Sequence, residues 1–193
     1  MSRPLVLASA SPRRRALLAM LDIPHVVAPV SIEEVRGPDE GPGEYAARLA
    51  RTKATVGARE HPGQWVLGAD TIVVHDGQVL EKPADGGAAT VMLETLAGEM
   101  HEVITALALA KDGVVHERSG TTRVWFADPG PEAIREYVAT GEPLDKAGGY
   151  GIQGKGAVLV ERIEGDYFGV MGLSVRQLVG LLDVAGLPYR FIR

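Results

Sequence analysis

The sequence predicts an α/β protein with a mixed, twisted β-sheet and flanking helices. Apolar, strand-like runs alternate along the chain with segments of helical periodicity, which indicates α/β organisation. Two long apolar runs each end near an Asp-Gly pair, which is a strong hairpin signal and argues against a purely parallel sheet. The chain has 193 residues, of which 46% are hydrophobic, so it can bury a substantial core.

In the N-terminal half, local patterns predict each element in turn. We expect strands over 5–8, 26–27 and 65–75, and helices over 14–21 and 44–56. Ser11 is suited to cap the first helix and Pro12 to occupy its first position. The second helix follows a Gly- and Pro-rich loop over 37–43 and carries an apolar stripe, with Arg48 and Lys53 at the edge of that stripe.

The C-terminal half continues the alternation. Asp76-Gly77 predicts a hairpin between the 65–75 strand and a strand at 79–80, and Asp112-Gly113 predicts another between strands 103–110 and 114–126. Further along we expect a helix from Asp85 to about Leu96 with a stop at Gly98, and a helix over 131–138 that ends near Gly141. A strand is expected over 158–160. The last helix is expected to begin with a capping box at Ser174-Gln177 and to stop at Gly186.

Composition excludes several functional classes. A formal net charge of −5 argues against general nucleic-acid binding, which needs a basic face. There are no cysteines, so disulfides, thiolate metal sites and a cysteine nucleophile are excluded. We find no signal-peptide pattern, no run of membrane-spanning length, and no repeat or linker that divides the chain. We therefore expect one cytoplasmic domain over residues 1–193, without a membrane partner.

The start of the first predicted helix carries the strongest binding signal. Arg13, Arg14 and Arg15 lie in its opening turn, where free backbone N–H groups and the helix dipole attract anions. A guanidinium matches phosphate oxygens in bidentate geometry, so phosphate is the expected ligand. A capped surface helix with solvated arginines is the alternative.

Asp70 interrupts the apolar strand 65–75, where an ionised carboxylate needs a partner. That partner is a metal ion, a lysine or backbone N–H groups, and a purely structural Asp70 is an alternative. The functional interpretation is a carboxylate that binds Mg²⁺ or accepts a proton from water. Its small neighbours Gly68 and Ala69 are expected to let a ligand approach closely. Lys82, after the hairpin, is either a phosphate clamp or an exposed ion pair.

Five glycines between Gly148 and Gly156 predict a loop whose N–H groups can approach a phosphate or a base, although a flexible connector has the same composition. Gln153 in this loop can both donate to and accept from a base edge. The pair Glu33-Glu34 is a solvated turn or part of a metal site. The histidines show no ligand-pair spacing, and we interpret all of them as structural or solvated.

Taken together, six segments resemble the Maf family of nucleoside triphosphate pyrophosphatases. They occur in family order along nearly the whole chain: Leu7-Ala-Ser-Ala-Ser-Pro-Arg-Arg14, Gly68-Ala-Asp-Thr71, Glu81-Lys-Pro83, His101-Glu-Val-Ile-Thr105, Glu142-Pro-Leu-Asp-Lys-Ala-Gly148 and Tyr150-Gly-Ile-Gln-Gly154. The resemblance implies a strongly twisted mixed sheet like that of inosine triphosphatases, with a cleft between two lobes. It also implies hydrolysis of an acid anhydride bond with Mg²⁺ or Mn²⁺, and a homodimer.

The same resemblance implies roles for individual residues. Asp70 falls at the position of the catalytic carboxylate, and with Glu34 it is the expected metal ligand. Arg13, Thr71 and Gln153 fall at positions that set base preference, and Thr71 with Gln153 looks like the subgroup that acts on dTTP and UTP. The remaining matches to polar residues of the family's cleft are Ser9, Arg14, Lys53, Lys82 and Lys146.

Two alternatives remain open at this point. One is the same chemistry on another base, for example an enzyme for inosine-type triphosphates. The other is a nucleotide-binding regulator of cell division with little turnover. A panel of triphosphates distinguishes the first, and pyrophosphate release over time distinguishes the second.

Overall fold

The computed structural model describes residues 4–191. Its strands are β1 (Leu5–Leu7), β2 (His25–Val27), β3 (Val66–His75), β4 (Gln78–Leu80), β5 (Met100–Lys111), β6 (Val114–Phe126) and β7 (Val160–Glu164). Its α-helices are α1 (Pro12–Met20), α2 (Pro42–Glu60), α3 (Gly86–Leu96), α4 (Gly130–Ala139), α5 (Tyr167–Met171) and α6 (Val175–Val184). Short 3₁₀ turns span Glu142–Asp145, Ala147–Gly149 and Gly154–Leu159.

Within these described residues, seven strands form one mixed sheet in the order β2-β1-β3-β5-β6-β7, and β4 pairs with β3. β1 runs parallel to both β2 and β3. The β3–β4 and β6–β7 pairs are antiparallel. The predicted α/β class with a mixed sheet and flanking helices is confirmed. The expected cleft between two lobes stays a prediction.

The chain forms two compact units. The first comprises the described residues of Met1–Asp70, Thr105–Gly120 and Gly172–Arg193, and the second comprises Thr71–Ile104 and Thr121–Met171. β3, β5 and β6 each contribute residues to both units. In residues 4–191 we find no helix with the length and apolarity that a bilayer crossing requires.

In the first unit, β1 is fully buried and lies between β2 and β3 in the sheet. Its neighbours α1 and α2 present Leu17, Leu18, Tyr45 and Leu49, each at most 2% exposed. The first part of the predicted apolar stripe of α2, Tyr45 and Leu49, therefore faces the core, whereas its second part, Thr52 and Val56, is only half-buried. This packing holds the beginning of α1 and the middle of α2 in place.

In the second unit, three aromatic rings pack edge to face. His101, Phe126 and Tyr150 have ring centroids 4.6–5.3 Å apart. The His101 Nε2 lies 2.7 Å from the Tyr150 hydroxyl, whereas its Nδ1 is buried with no hydrogen-bond partner. Burial, and then the nearby charge of His75, lower the pKa of His101 to about 4. His101 is thus a structural histidine, as predicted.

The two Asp-Gly turns confirm the hairpin predictions. Asp76 and Gly77 have φ of 47° and 75°, and Asp112 and Gly113 have φ of 47° and 86°. Two successive residues with positive φ are the signature of the tight turn that matches the twist of paired strands. β4 and β6 begin directly after these turns.

Two sequence predictions differ from the structure. The expected strand over 158–160 is mostly a 3₁₀ turn that continues to Leu159, and β7 runs from Val160 to Glu164 instead. β7 lies at the end of the sheet order and is rich in charged residues, so it lacks the apolar alternation of a half-buried strand. The short helix α5 was not predicted either.

Candidate functional site

The loop between β1 and α1 positions the first predicted phosphate ligand. The Ser11 hydroxyl accepts a hydrogen bond from the Arg14 N–H at 3.4 Å and Pro12 begins the helix, so the predicted cap is confirmed. Arg14 Nη1 donates to the Ser9 hydroxyl at 2.9 Å, and Nε donates to the Gly172 carbonyl at 2.8 Å. These two bonds fix the plane of the guanidinium.

The charge of Arg14 is held in a buried setting. Burial lowers its pKa, the Asp70 carboxylate opposes that shift, and the neighbouring Arg13 reinforces it. A guanidinium stays protonated in proteins nevertheless. The beginning of α1 therefore presents concentrated positive charge, which only an anionic ligand or nearby carboxylates can compensate.

Lys53 joins the two predicted metal ligands. Its Nζ lies 2.7 Å from Asp70 Oδ1 and 2.8 Å from Glu34 Oε1. Lys53 is 8% exposed and Asp70 is 6% exposed, whereas Glu34 is largely exposed. The prediction that Lys53 lies at the edge of the helix stripe is wrong, because Lys53 lies on the buried face of α2, where its ammonium meets the Asp70 carboxylate. Of the three partners considered for Asp70, a lysine is present.

Gly68 brings α2 against β3. A Cβ at Gly68 would lie 2.2 Å from the Ala50 carbonyl oxygen and 2.6 Å from the Ala54 nitrogen. We expected Gly68 to give a ligand access, and that expectation is wrong, since the helix backbone occupies the space. The close approach instead places Lys53, on the adjacent turn of α2, within reach of Asp70.

The acidic pair fits a divalent cation only with help from a substrate. Over residues 4–191, no group of three or more acidic, histidine or cysteine side chains could hold a metal ion. The Lys53 ammonium already lies between Glu34 and Asp70, so this position accepts positive charge. Mg²⁺ typically uses one or two carboxylates and completes its coordination with water and substrate phosphate, which this donor set allows.

Arg13 lies next to Arg14 in the first unit, whereas the remaining predicted site residues belong to the second unit. Thr71 lies within β3, Lys82 follows β4 and is exposed, and Gln153 is exposed at the start of a 3₁₀ turn. Lys146 donates to the Glu142 carbonyl and to Asp145 Oδ1, both at 2.5 Å. The first unit therefore contains six of the predicted site residues: Ser9, Arg13, Arg14, Glu34, Lys53 and Asp70. The roles assigned to all these residues stay predictions.

Sequence analysis missed three groups that hold site residues. The Gly172 carbonyl carries no side-chain signal at all. Tyr137 and Glu142 bind the backbone on both sides of Gln153. A signal for Glu142 did exist, because a glycine-rich loop has many N–H groups that need acceptors, and Glu142 is an acid shortly before that loop.

An open groove of about 660 Å³ lies at the start of α2 and contains none of the predicted site residues. Its arginines already have partners: Arg48 binds Glu40 through two nitrogens, and Arg51 binds Glu117. The Arg48 hydrogen bond lowers the pKa of Glu40 to about 2. Because both arginines are paired with glutamates of the same chain, they do not indicate that the groove binds a ligand.

The chain matches the family described as "Maf-like protein" over residues 4–185. It is 47% identical to the dTTP/UTP pyrophosphatase of Koribacter versatilis, with 95% of each chain covered. It is 50% identical to the protein of that name from Yersinia pestis, covering 93% of this chain and 91% of the relative.

Among solved structures, the Staphylococcus aureus Ham1 protein matches 65% of this chain and 73% of its own, at 16% identity and a TM-score of 0.45. That likeness is too weak to support an argument about either the fold or the site.

Proposed function

Because the chain belongs to the Maf family, we propose that it is a pyrophosphatase that hydrolyses dTTP and UTP to the monophosphate and pyrophosphate. The observation that carries the proposal is the cluster in which Lys53 bridges Asp70 and Glu34 in the same unit as the Ser9–Arg14 pair. The names and near-complete coverage of the relatives support the choice of substrate.

Arg14 and Arg13 bind the phosphates in this proposal. The bonds from Arg14 to Ser9 and Gly172 hold its guanidinium in one orientation before substrate arrives. A preorganised cation stabilises negative charge that develops in the transition state without further rearrangement. Lys82 is proposed as an additional phosphate ligand, and Lys146 as a further polar residue of the substrate cleft.

Asp70 is the proposed acceptor of the water proton. The water oxygen attacks the α-phosphorus and gives its proton to Asp70, and the bond from that phosphorus to the oxygen bridging to the β-phosphorus breaks. Pyrophosphate is the leaving group. The Lys53 ammonium at 2.7 Å compensates the carboxylate charge and fixes its orientation.

We propose that Asp70 and Glu34 also hold a divalent cation, Mg²⁺ or Mn²⁺. When bound, such an ion neutralises phosphate charge and activates water. Lys53 contacts both carboxylates, so it keeps them together when no divalent ion is bound.

Base preference is assigned to Arg13, Thr71 and Gln153. The Gln153 amide offers both a donor and an acceptor, which suits a pyrimidine edge.

We also propose that the protein is a homodimer and that it is located in the cytoplasm. The absence of cysteine is compatible with a reducing compartment. Light scattering on the purified protein gives the mass that tests the dimer.

The central test is Asp70→Asn. Asparagine keeps an oxygen that accepts the Lys53 hydrogen bond, so we expect the fold to persist while pyrophosphate release from UTP and dTTP falls by at least about a hundredfold. Asp183→Asn, at an exposed position on α6, is the matched control with full activity. Undiminished turnover by Asp70→Asn would rule out the proposed proton acceptor. Tight nucleotide binding without product from the unaltered protein would indicate a regulator instead.

A further inference from the structure

Tyr137 and Glu142 form a hydrogen-bonded pair just ahead of the glycine-rich loop. Tyr137 lies near the end of α4, and Glu142 begins the 3₁₀ turn Glu142–Asp145. The Tyr137 hydroxyl donates to Glu142 Oε1 at 3.0 Å. Tyr137 is only 7% exposed, so this pair is anchored in the core of the second unit.

The pair binds the backbone of the loop on both sides of Gln153. Before Gln153, the Gly151 N–H donates to the Tyr137 hydroxyl at 3.2 Å. After it, the Lys155 N–H donates to Glu142 Oε2 at 3.1 Å and the Gly156 N–H donates to Oε1 at 3.0 Å. Gln153 itself is exposed. The backbone on either side of an outward-facing amide is therefore held by two side chains.

The loop approaches these side chains too closely for other residue types. A Cβ at Gly156 would lie 2.5 Å from the Tyr137 hydroxyl, and one at Gly154 would lie 3.0 Å from Glu142 Oε2. Gly154 also has φ of 82°, a conformation that favours glycine. The glycines therefore serve the contact with Tyr137 and Glu142, and not flexibility alone.

The hydrogen-bond roles require an ionised Glu142. Its two oxygens accept all three of their bonds, from Tyr137, Lys155 and Gly156. Burial opposes ionisation, but the N–H donors of Gly156 and Lys155 and the Tyr137 hydroxyl outweigh it, so the pKa of Glu142 lies below its ordinary value. A glutamine side chain at position 142 would replace one of the two accepting oxygens by an NH₂ group, which cannot accept a hydrogen bond, so the bonds to that atom would be lost.

We propose that Tyr137 and Glu142 are positioning residues that set the base preference of the enzyme by holding the Gln153 loop in the conformation that presents the Gln153 amide to the base. This inference rests on the proposed function, in which Gln153 contacts the pyrimidine. Neither Tyr137 nor Glu142 is assigned a part in the hydrolytic step.

The experiment measures kcat and KM for UTP and GTP in Glu142→Gln and Tyr137→Phe, with Mg²⁺ present. We expect KM for UTP to rise with little change in kcat, and the UTP-to-GTP ratio of kcat/KM to fall by about tenfold, a loss in keeping with one charged hydrogen bond. Glu136→Gln, an exposed position on α4, removes the same charge and should leave the ratio unchanged. Equal losses for both nucleotides, or a loss confined to kcat, would overturn the inference.

A double-mutant cycle with Gln153→Ala tests whether the pair acts through Gln153. On the Gln153→Ala background, Glu142→Gln should change the ratio no further. Full additivity contradicts the inference. If Gln153→Ala alone leaves the preference intact, the proposed base contact fails, and the inference fails with it. If Gln153→Ala shifts the preference and neither Glu142→Gln nor Tyr137→Phe does, the inference alone fails.

Thermal unfolding of each variant separates these outcomes from misfolding. Tyr137→Phe removes one hydroxyl without changing the charge. If Glu142→Gln does not fold, the kcat and KM values of Tyr137→Phe therefore decide the test.

Discussion

Lys53 is a buried charged residue at the centre of the Asp70–Glu34 pair. Its ammonium lies against the buried Asp70 carboxylate and the exposed Glu34 carboxylate, so removal of Lys53 leaves Asp70 buried without its ion-pair partner. We predict that Lys53→Met lowers the free energy of unfolding by about 3 kcal/mol, because breaking a buried ion pair leaves an uncompensated charge.

Urea unfolding near neutral pH measures this loss. Lys155→Met is the control: its side chain is exposed and its backbone N–H is retained, so we expect a change within about 0.5 kcal/mol. Equal unfolding midpoints for Lys53→Met and the unaltered protein would mean that the buried charges do not stabilise the fold.

His101 predicts a specific dependence of stability on pH. Its pKa is lowered from 6.5 to about 4 by burial and by His75, so the unfolded chain binds a proton over a range where the folded protein does not. Stability from this residue is therefore full above about pH 6.5 and declines as pH falls toward 4, by up to about 3 kcal/mol in total.

Replacing His101 by Gln removes that titration. We expect the melting temperature of His101→Gln to fall less steeply between pH 6.5 and 4 than that of the unaltered protein, although the variant is less stable at pH 7. Parallel pH profiles for the two proteins contradict the assignment.

Residue-level prediction succeeded where the signal was local. The Ser11 cap depends on residues three apart, and the structure confirms it. The partner of Asp70 stayed open between metal, lysine and backbone, because Lys53 is 17 positions away and reaches Asp70 only through the packing of α2 on β3. No local pattern encodes that contact.

At the scale of elements, the α2–β3 contact depends on Gly68. We predict that Gly68→Ala destabilises the protein by about 3 kcal/mol or more, because its Cβ would meet backbone atoms of Ala50 and Ala54, which cannot move aside without shifting the helix.

The same substitution at Gly180 should instead raise the stability of the protein. Gly180 lies inside α6, and a Cβ there meets nothing within 4 Å. We expect Gly180→Ala to stabilise the protein by about 0.5–1 kcal/mol, since alanine loses less backbone entropy in a helix. Chemical denaturation of both variants checks the pair. Destabilisation by Gly180→Ala as well would contradict the prediction that alanine stabilises helix α6.

Elements bounded by clear turn or capping residues were predictable. The Asp-Gly turns placed both hairpins, and Asp85 caps α3 as expected. β7 was misplaced because its charged sequence lacks periodicity, and Arg162 lies over the Trp125 ring at 3.7 Å, a long-range contact that no local pattern encodes. Short α5 was missed because five residues are too few for a helical repeat.

At the scale of the whole molecule, six weak motifs in order were enough to predict the family, although each alone was weak. The full-length relatives confirm that membership. The individual site roles could not be obtained this way, because they depend on contacts with a substrate.

Nucleotide binding by the whole molecule predicts stabilisation. In Asp70→Asn, which should bind UTP without consuming it, a hundredfold excess of UTP over its dissociation constant raises stability by about 2.7 kcal/mol. Differential scanning calorimetry with Mg²⁺ and UTP measures the shift, with uridine as the control that lacks phosphates. Equal shifts for UTP and uridine would contradict phosphate binding as the main source of affinity.

The attachment of the Gln153 loop to Tyr137 and Glu142 has a practical consequence. Both side chains bind main-chain N–H groups, so the attachment does not depend on which side chains the exposed residues Gln153 and Lys155 carry. A combinatorial library at those two positions, with the buried Ile152 and every glycine of the loop retained, therefore offers a route to retargeting this scaffold toward other nucleobases.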